Sequence, residues 1–145
     1  PRSLAWLLDG RFYTYRFGSS APAQALLVES GANDPEFNLR REPALLQRVD
    51  GQKDVTFFSV LEPHGEYNGT AEYVHGADSR IRDIVRTRGS DAEVIELRLA
   101  SGARIALGVA DDSSAKGEHS VSVDGHAYRW SGSHARMDRS KGDGK

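Results

Sequence analysis

Cysteine is absent from the 145 residues. That absence excludes disulfide frameworks, thiolate metal sites, iron–sulfur clusters and cysteine nucleophiles together, and it is compatible with either a reducing or an oxidising compartment. Charge of one sign is also missing, because 19 basic residues stand against 21 acidic ones. With no basic stripe to follow phosphates, no nucleic-acid partner is expected. No apolar run approaches the roughly 18 residues of a membrane span, so no membrane partner is expected either. The serines form no G-x-S-x-G nucleophile elbow, and no glycine-rich phosphate loop sits between a strand and a helix. No segment keeps a helical period for three turns.

What is present is 38% hydrophobic and 28% charged. This is a globular composition, in a chain long enough for one domain that buries roughly two-thirds of its unfolded surface. The recurring unit is a short apolar or alternating run closed by a turn signal, the rhythm of antiparallel sheets. Residues 5–17 read as two strands broken at Asp9-Gly10; Ser101-Gly102 and Asp124-Gly125 likewise separate alternating runs. Such dipeptides supply the positive φ values of two-residue hairpin turns. Around Ser101-Gly102, Ile95, Leu97 and Leu99 share one face, repeated by Ile105, Leu107 and Val109 on the return arm. That face is expected to be buried, with Glu96 and Arg98 on a wet face.

Residues 55–61 read as a strand whose regular pairing stops near Pro63, and residues 66–74 as an edge strand. Residues 31–48 lack alternation and carry Asn33-Asp34-Pro35 and Pro43. They read as an ordered loop pinned by Leu39, Leu45 and Leu46. The expected fold is all-β, a two-layer antiparallel β-sandwich over residues 1–130, followed by a flexible polar tail over 131–145. A chain that begins at Pro1 with no initiator methionine is expected to be a piece of a longer protein.

Five histidines, His64, His75, His119, His126 and His134, are candidates for proton transfer or metal binding. None forms an H-x-H or H-x-x-x-H pair, and no carboxylate pair brackets one at ligand spacing. His119 and His126 flank the Asp124-Gly125 turn, where a two-histidine clip and two solvated strand residues are the alternatives. The densest cluster of functional groups is Glu62-Pro63-His64-Gly65-Glu66-Tyr67-Asn68-Gly69, at a strand end. A rigid strand can aim such groups at a ligand, while an ordinary polar turn has the same composition. Arg40, Arg41, Glu42 and Arg48 suit an ion-pair network that fixes the long loop, or, at Arg40, a planar fork for a carboxylate. Trp6, Phe12, Tyr13 and Tyr15 suit a sheet core or a sugar-stacking platform.

Three stretches taken in order add to this reading: WLLDGRFYT at 6–14, GANDPEFNLRREPA at 31–44 and FFSVLEPHG at 57–65. They resemble the C-terminal β-sheet domain of the heparinase II/III-like polysaccharide lyases, and within that group the exolytic oligo-alginate lyases of polysaccharide lyase families fifteen and seventeen. The resemblance implies a parent with an N-terminal α/α toroid and a C-terminal antiparallel β-sandwich, the saccharide lying in the cleft between them. It further implies cleavage of uronic-acid polymers by β-elimination, in which a positioned base and acid act on the C5 proton beside a carboxylate. In that family tyrosine and histidine transfer protons, and asparagine or arginine neutralises the carboxylate.

The principal catalytic residues of the family belong to the toroid, so none is assigned to this chain and the chain alone is expected to be inactive. Asn33, Asp34, Arg40, Glu42, Glu62 and His64 occupy matching positions. Joined by Tyr67 of the polar cluster, they leave His64, Glu62, Arg40, Asn33 and Tyr67 as substrate-cleft candidates. The resemblance also implies a structural zinc in the intact parent, for which His64 is this chain's metal candidate. Expected partners are an alginate-type uronic-acid polysaccharide or oligosaccharide and the toroid part of the same protein, in a bacterial periplasmic or secreted setting. The lack of a sulfate-binding basic cluster favours alginate over heparin. The alternatives are a non-catalytic carbohydrate-binding module, a heparin- or heparan-type lyase domain, and a structural sandwich mediating homodimer contacts.

Overall fold

A computed structural model describes residues 1–31 and 41–140. Among these the chain is all-β and contains no helix, so none is long and apolar enough to cross a membrane. The chain divides into two compact units, one made of Pro1–Phe17 with Phe58–Lys145, the other of Gly18–Phe57.

The smaller unit is a hairpin. Its strands, numbered here in whole-chain order, are β3 (Gln24–Gly31) and β4 (Arg41–Arg48), paired antiparallel from Gln24↔Arg48 to Gly31↔Arg41. Residues 41–48, expected to belong to a loop, are therefore a strand. Pro43 sits within it because a two-stranded ribbon leaves each strand one outer edge, where a missing N–H costs no ladder bond. Asn33, Asp34, Leu39 and Arg40 lie outside the described residues. Ser20 N donates to Thr56 O at 2.9 Å, which ties the two ends of this unit together.

In the larger unit, β1 (Arg2–Leu8), β2 (Arg11–Ser19) and β5 (Phe57–His64) form a three-stranded sheet in the order β1-β2-β5. The β1–β2 connection is the expected two-residue turn, with φ of 49° at Asp9 and 74° at Gly10 closing the Leu8↔Arg11 pair. Pro63 lies one residue before the end of β5, and β5 is an edge of its sheet. The segment expected to be one edge strand is instead a short hairpin, β6 (Glu66–Asn68) and β7 (Tyr73–His75). Asn68 Oδ1 accepts from Thr70 N and Ala71 N at 3.0 and 3.1 Å, and that local acceptor bends the chain back on itself.

A four-stranded antiparallel sheet follows, built from β8 (Ile81–Arg88), β9 (Ala92–Leu99), β10 (Arg104–Ala110) and β13 (His134–Arg139), in the order β13-β10-β9-β8. The hairpin of β11 (Glu118–Val123) and β12 (His126–Ser131) packs on it through Val121, Val123, Tyr128 and Trp130, which meet Ala92, Val94 and Ala106. These two antiparallel layers form the sandwich. Its β11–β12 turn has φ of 48° at Asp124 and 80° at Gly125, as the dipeptide requires. The β9–β10 connection is one residue longer than a two-residue turn. Leu99 N donates to Ala103 O at 2.9 Å, and Gly102 takes the left-handed position at φ 87°.

Two expectations fail here for physical reasons. The face of β9 packed against the β11–β12 hairpin is Ala92, Val94 and Glu96, all at 0% exposure, whereas Ile95, Leu97 and Leu99 are half-buried. Small residues win this interface because Trp130 needs the room. A Cβ built on Gly108 would lie 2.8 Å from the indole. Glu96 is tolerated inside because Tyr128 Oη donates to it at 2.6 Å, Arg98 Nε at 2.8 Å and an Arg104 terminal nitrogen at 3.1 Å. The polar residues 134–139 are the edge strand β13, not a frayed tail. They alternate, with Ala135 and Met137 packed on the core cluster and His134, Arg136 and Asp138 exposed.

Candidate functional site

The polar cluster at the end of β5 lies beside two cavities of about 480 and 450 Å³. The first is lined by Arg11, His64, Glu66, His75, Asp78 and Arg80 with the backbone around Gly65 and Gly76. The second is lined by Asp9, Arg11, Glu66, Tyr67, Asn68 and Tyr73, so that Arg11 and Glu66 border both. The walls are the β1–β2 turn and the β6–β7 hairpin, joined where Tyr67 N donates to Gly10 O at 2.7 Å. Gly65 and Gly76, with φ of 55° and 58°, approach so closely that a Cβ on Gly65 would sit 2.2 Å from Gly76 O. Only glycine fits at that contact.

His64 is 7% exposed and closes the base of the hairpin. Its Nδ1 lies 3.1 Å from Gly76 O and its Nε2 2.9 Å from Thr14 Oγ1, while its ring stacks on Phe12 with centroids 6.1 Å apart. A carbonyl only accepts, so Nδ1 donates to Gly76. In this arrangement His64 tethers the hairpin to the sheet, and a ligand role requires one of these bonds to break. Glu62, 5% exposed, accepts from Ser79 Oγ at 2.6 Å, Arg80 Nε at 2.9 Å and the Arg80 and Ile81 backbone N–H groups at 3.2 and 3.4 Å. Burial raises its pKa, but these four donors outweigh burial and hold it below the usual carboxylate range. Glu62 thereby fixes the approach to β8 and the position of Arg80.

Of the sequence candidates, His64 and Tyr67 line the cavities, Glu62 stands behind them through Arg80, and Asn33 and Arg40 lie outside the described residues. The described residues do not fit a zinc site, because no group of three His, Asp or Glu side chains among them converges. His119 faces Trp130 across its hairpin and bonds Asp91 through Nδ1 at 2.9 Å, while His126 pairs with Val123 at the turn, so the two histidines form no clip. Trp6 and Tyr13 stack with centroids 5.6 Å apart and planes 11° from parallel.

Arg11, Tyr73, Asp78 and Arg80 do not stand out as site residues in the sequence, and His75 stands out only as one of the five candidate histidines. Asn68-Gly69 is a hairpin signal in the sequence, but it does not give the register: the connection is a four-residue loop over 69–72 that sets Tyr73 opposite Asn68 and His75 opposite Glu66, where a two-residue turn would pair Tyr67 with Thr70.

No protein-family model matches the chain. Over all 145 residues it is 93% identical to an alginate lyase of Stenotrophomonas maltophilia, and it covers 20% of that protein. Over 130 residues, 88% of the chain, it is 35% identical to an exo-oligoalginate lyase of Saccharophagus degradans, and it covers 18% of that one. The chain thus matches one segment of each of these two proteins. It spans about a fifth of the length of these relatives. The resemblance carried by residues 6–14, 31–44 and 57–65 thus has its counterpart in whole-chain identity to a protein named alginate lyase, and the cavities lie at two of those stretches.

Proposed function

We propose that this chain is the C-terminal β-sheet portion of an alginate lyase that cleaves uronic-acid polysaccharide by β-elimination. The reading is carried by the 93% identity, over every residue, to a protein named alginate lyase. In the reaction a base removes the C5 proton, its electron pair becomes the C4=C5 double bond, the C4–O bond breaks, and an acid protonates the departing oxygen. The carboxylate on C5 must be neutralised for that proton to leave. We assign proton transfer to the larger part of the lyase, an α/α toroid of the heparinase II/III-like kind, and one wall of the substrate cleft to this segment. Any zinc of the intact protein we assign to residues outside those described here, and no step is routed through it. Extracellular alginate as substrate implies a periplasmic or secreted setting.

The test is product chemistry. Full-length lyase containing this sequence is incubated with poly-mannuronate and with heparin, and the fragments are analysed by mass spectrometry. Poly-mannuronate fragments one water lighter than hydrolysis products, with heparin untouched, are expected. Saturated ends would refute elimination, and heparin cleavage would favour the heparin-type reading. A second reading, a non-catalytic saccharide-binding module, is favoured by the Trp6–Tyr13 stack, in which Trp6 is 41% exposed. Polymer binding without any fragmentation would support it.

A further inference from the structure

We infer that the paired cavities form a subsite for a single unit of an acidic saccharide, with Arg11 reading its carboxylate. The inference rests on the lyase reading above and goes further by naming a residue and a ligand chemistry. Arg11 borders both cavities, is exposed, and its side chain has no hydrogen-bond or ion-pair partner among the described residues. Its planar guanidinium fork matches a carboxylate with two parallel N–H···O bonds. Arg80, which also lines the first cavity, engages Glu62 through Nε at 2.9 Å, and its side chain stays 75% exposed.

The second cavity supplies what a pyranose ring needs. Tyr67 and Tyr73, 41% and 49% exposed, offer flat apolar faces and phenolic hydroxyls. The Oδ1 of Asn68 is already taken by Thr70 N and Ala71 N, which leaves its amide nitrogen as a donor. Glu66 and Asp9 accept hydroxyl protons, and each carboxylate can take two.

The charge balance selects the ligand. Asp9, Glu66 and Asp78 stand against Arg11 and Arg80, so several anionic groups packed into the groove would be repelled. One uronate unit avoids this by placing its carboxylate on the arginine and its hydroxyls on the acids. The walls are pre-set by the Tyr67–Gly10 bond and the Gly65–Gly76 contact, so little ordering entropy is lost on binding.

The test uses full-length lyase containing this sequence. Arg11→Ala is expected to raise KM for an oligo-mannuronate about tenfold, as loss of a charge-assisted hydrogen bond predicts, with kcat falling by less. Arg11→Lys should recover part of the loss. Arg129→Gln, on the exposed face of β12, should change neither constant. Binding of a carboxyl-reduced, neutral oligosaccharide should be the same for wild type and Arg11→Ala. An unchanged KM in Arg11→Ala, or an equal loss of affinity for the neutral sugar, would overturn the subsite while leaving the lyase reading intact. Wild-type lyase that neither binds nor cleaves oligo-uronate would remove both.

Discussion

Glu96 is a carboxylate buried between the layers of the sandwich. A carboxylate at 0% exposure is stable only because Tyr128, Arg98 and Arg104 all donate to it. Burial pushes its pKa up, but hydrogen bonds from those three side chains and the Arg104 charge outweigh burial and hold it below the ordinary value. Tyr128, buried and donating to that carboxylate, is pushed up to about 12. A carboxyl whose folded pKa is depressed stabilises the fold above its unfolded pKa, and that contribution is lost as pH falls through the folded value. Glu96→Gln is therefore expected to cost about 3 kcal/mol at neutral pH, as breaking a buried ion pair does. It should also flatten the loss of stability on acidification below about pH 4.5. Urea midpoints of both forms across pH measure this, and equal midpoints at neutral pH would show that the network contributes nothing. From the sequence Glu96 is expected in water, because alternation identifies two faces without saying which is dry. The decision came from partners distant in sequence, Arg104 and Tyr128, that only folding brings together.

At the scale of elements, hairpins were the legible part. Asp9-Gly10 and Asp124-Gly125 form two-residue turns because positive φ at both central positions is a local demand. The missed strands have local causes as well. β4 contains Pro43, which reads as a breaker until the outer edge of a two-stranded ribbon is known. β13 is polar on its exposed side and keeps only Ala135 and Met137 for the core. Packing between the layers depends on Gly108, whose missing side chain admits the Trp130 indole. Gly108→Val is expected to destabilise by about 2 kcal/mol through overpacking. It should also expose Trp130, giving a red-shifted and quenchable fluorescence component, since Trp130 is 6% exposed in the native fold. Gly108→Val with native stability and an unchanged spectrum would mean the layers are not in contact there. The site divides along the same line. Glu62 to Gly69 is legible as a locus because it is contiguous, whereas Arg11 reaches it from β2 and Arg80 from the bend that precedes β8.

For the molecule as a whole, the described surface exposes several large apolar side chains. Trp6, Leu7 and Leu8 of edge strand β1 are 41, 45 and 55% exposed, and Leu61, Tyr73 and Val74 add to the same unit's exposed apolar side chains. Unpaired edges with apolar side chains template association with other chains. The 145-residue chain by itself is expected to self-associate, giving a light-scattering mass that rises with concentration, and a constant monomer mass would contradict this. The same surface suits the proposed role as one segment of a larger lyase, in which the remaining chain would cover it. The most direct measurement is the ultraviolet absorbance of unsaturated uronate formed from poly-mannuronate by the full-length lyase and by this chain alone. The account predicts product from the full-length protein and none from the chain. Product from the chain alone would contradict it, because the groove around Arg11 and His64 would then be a complete active site.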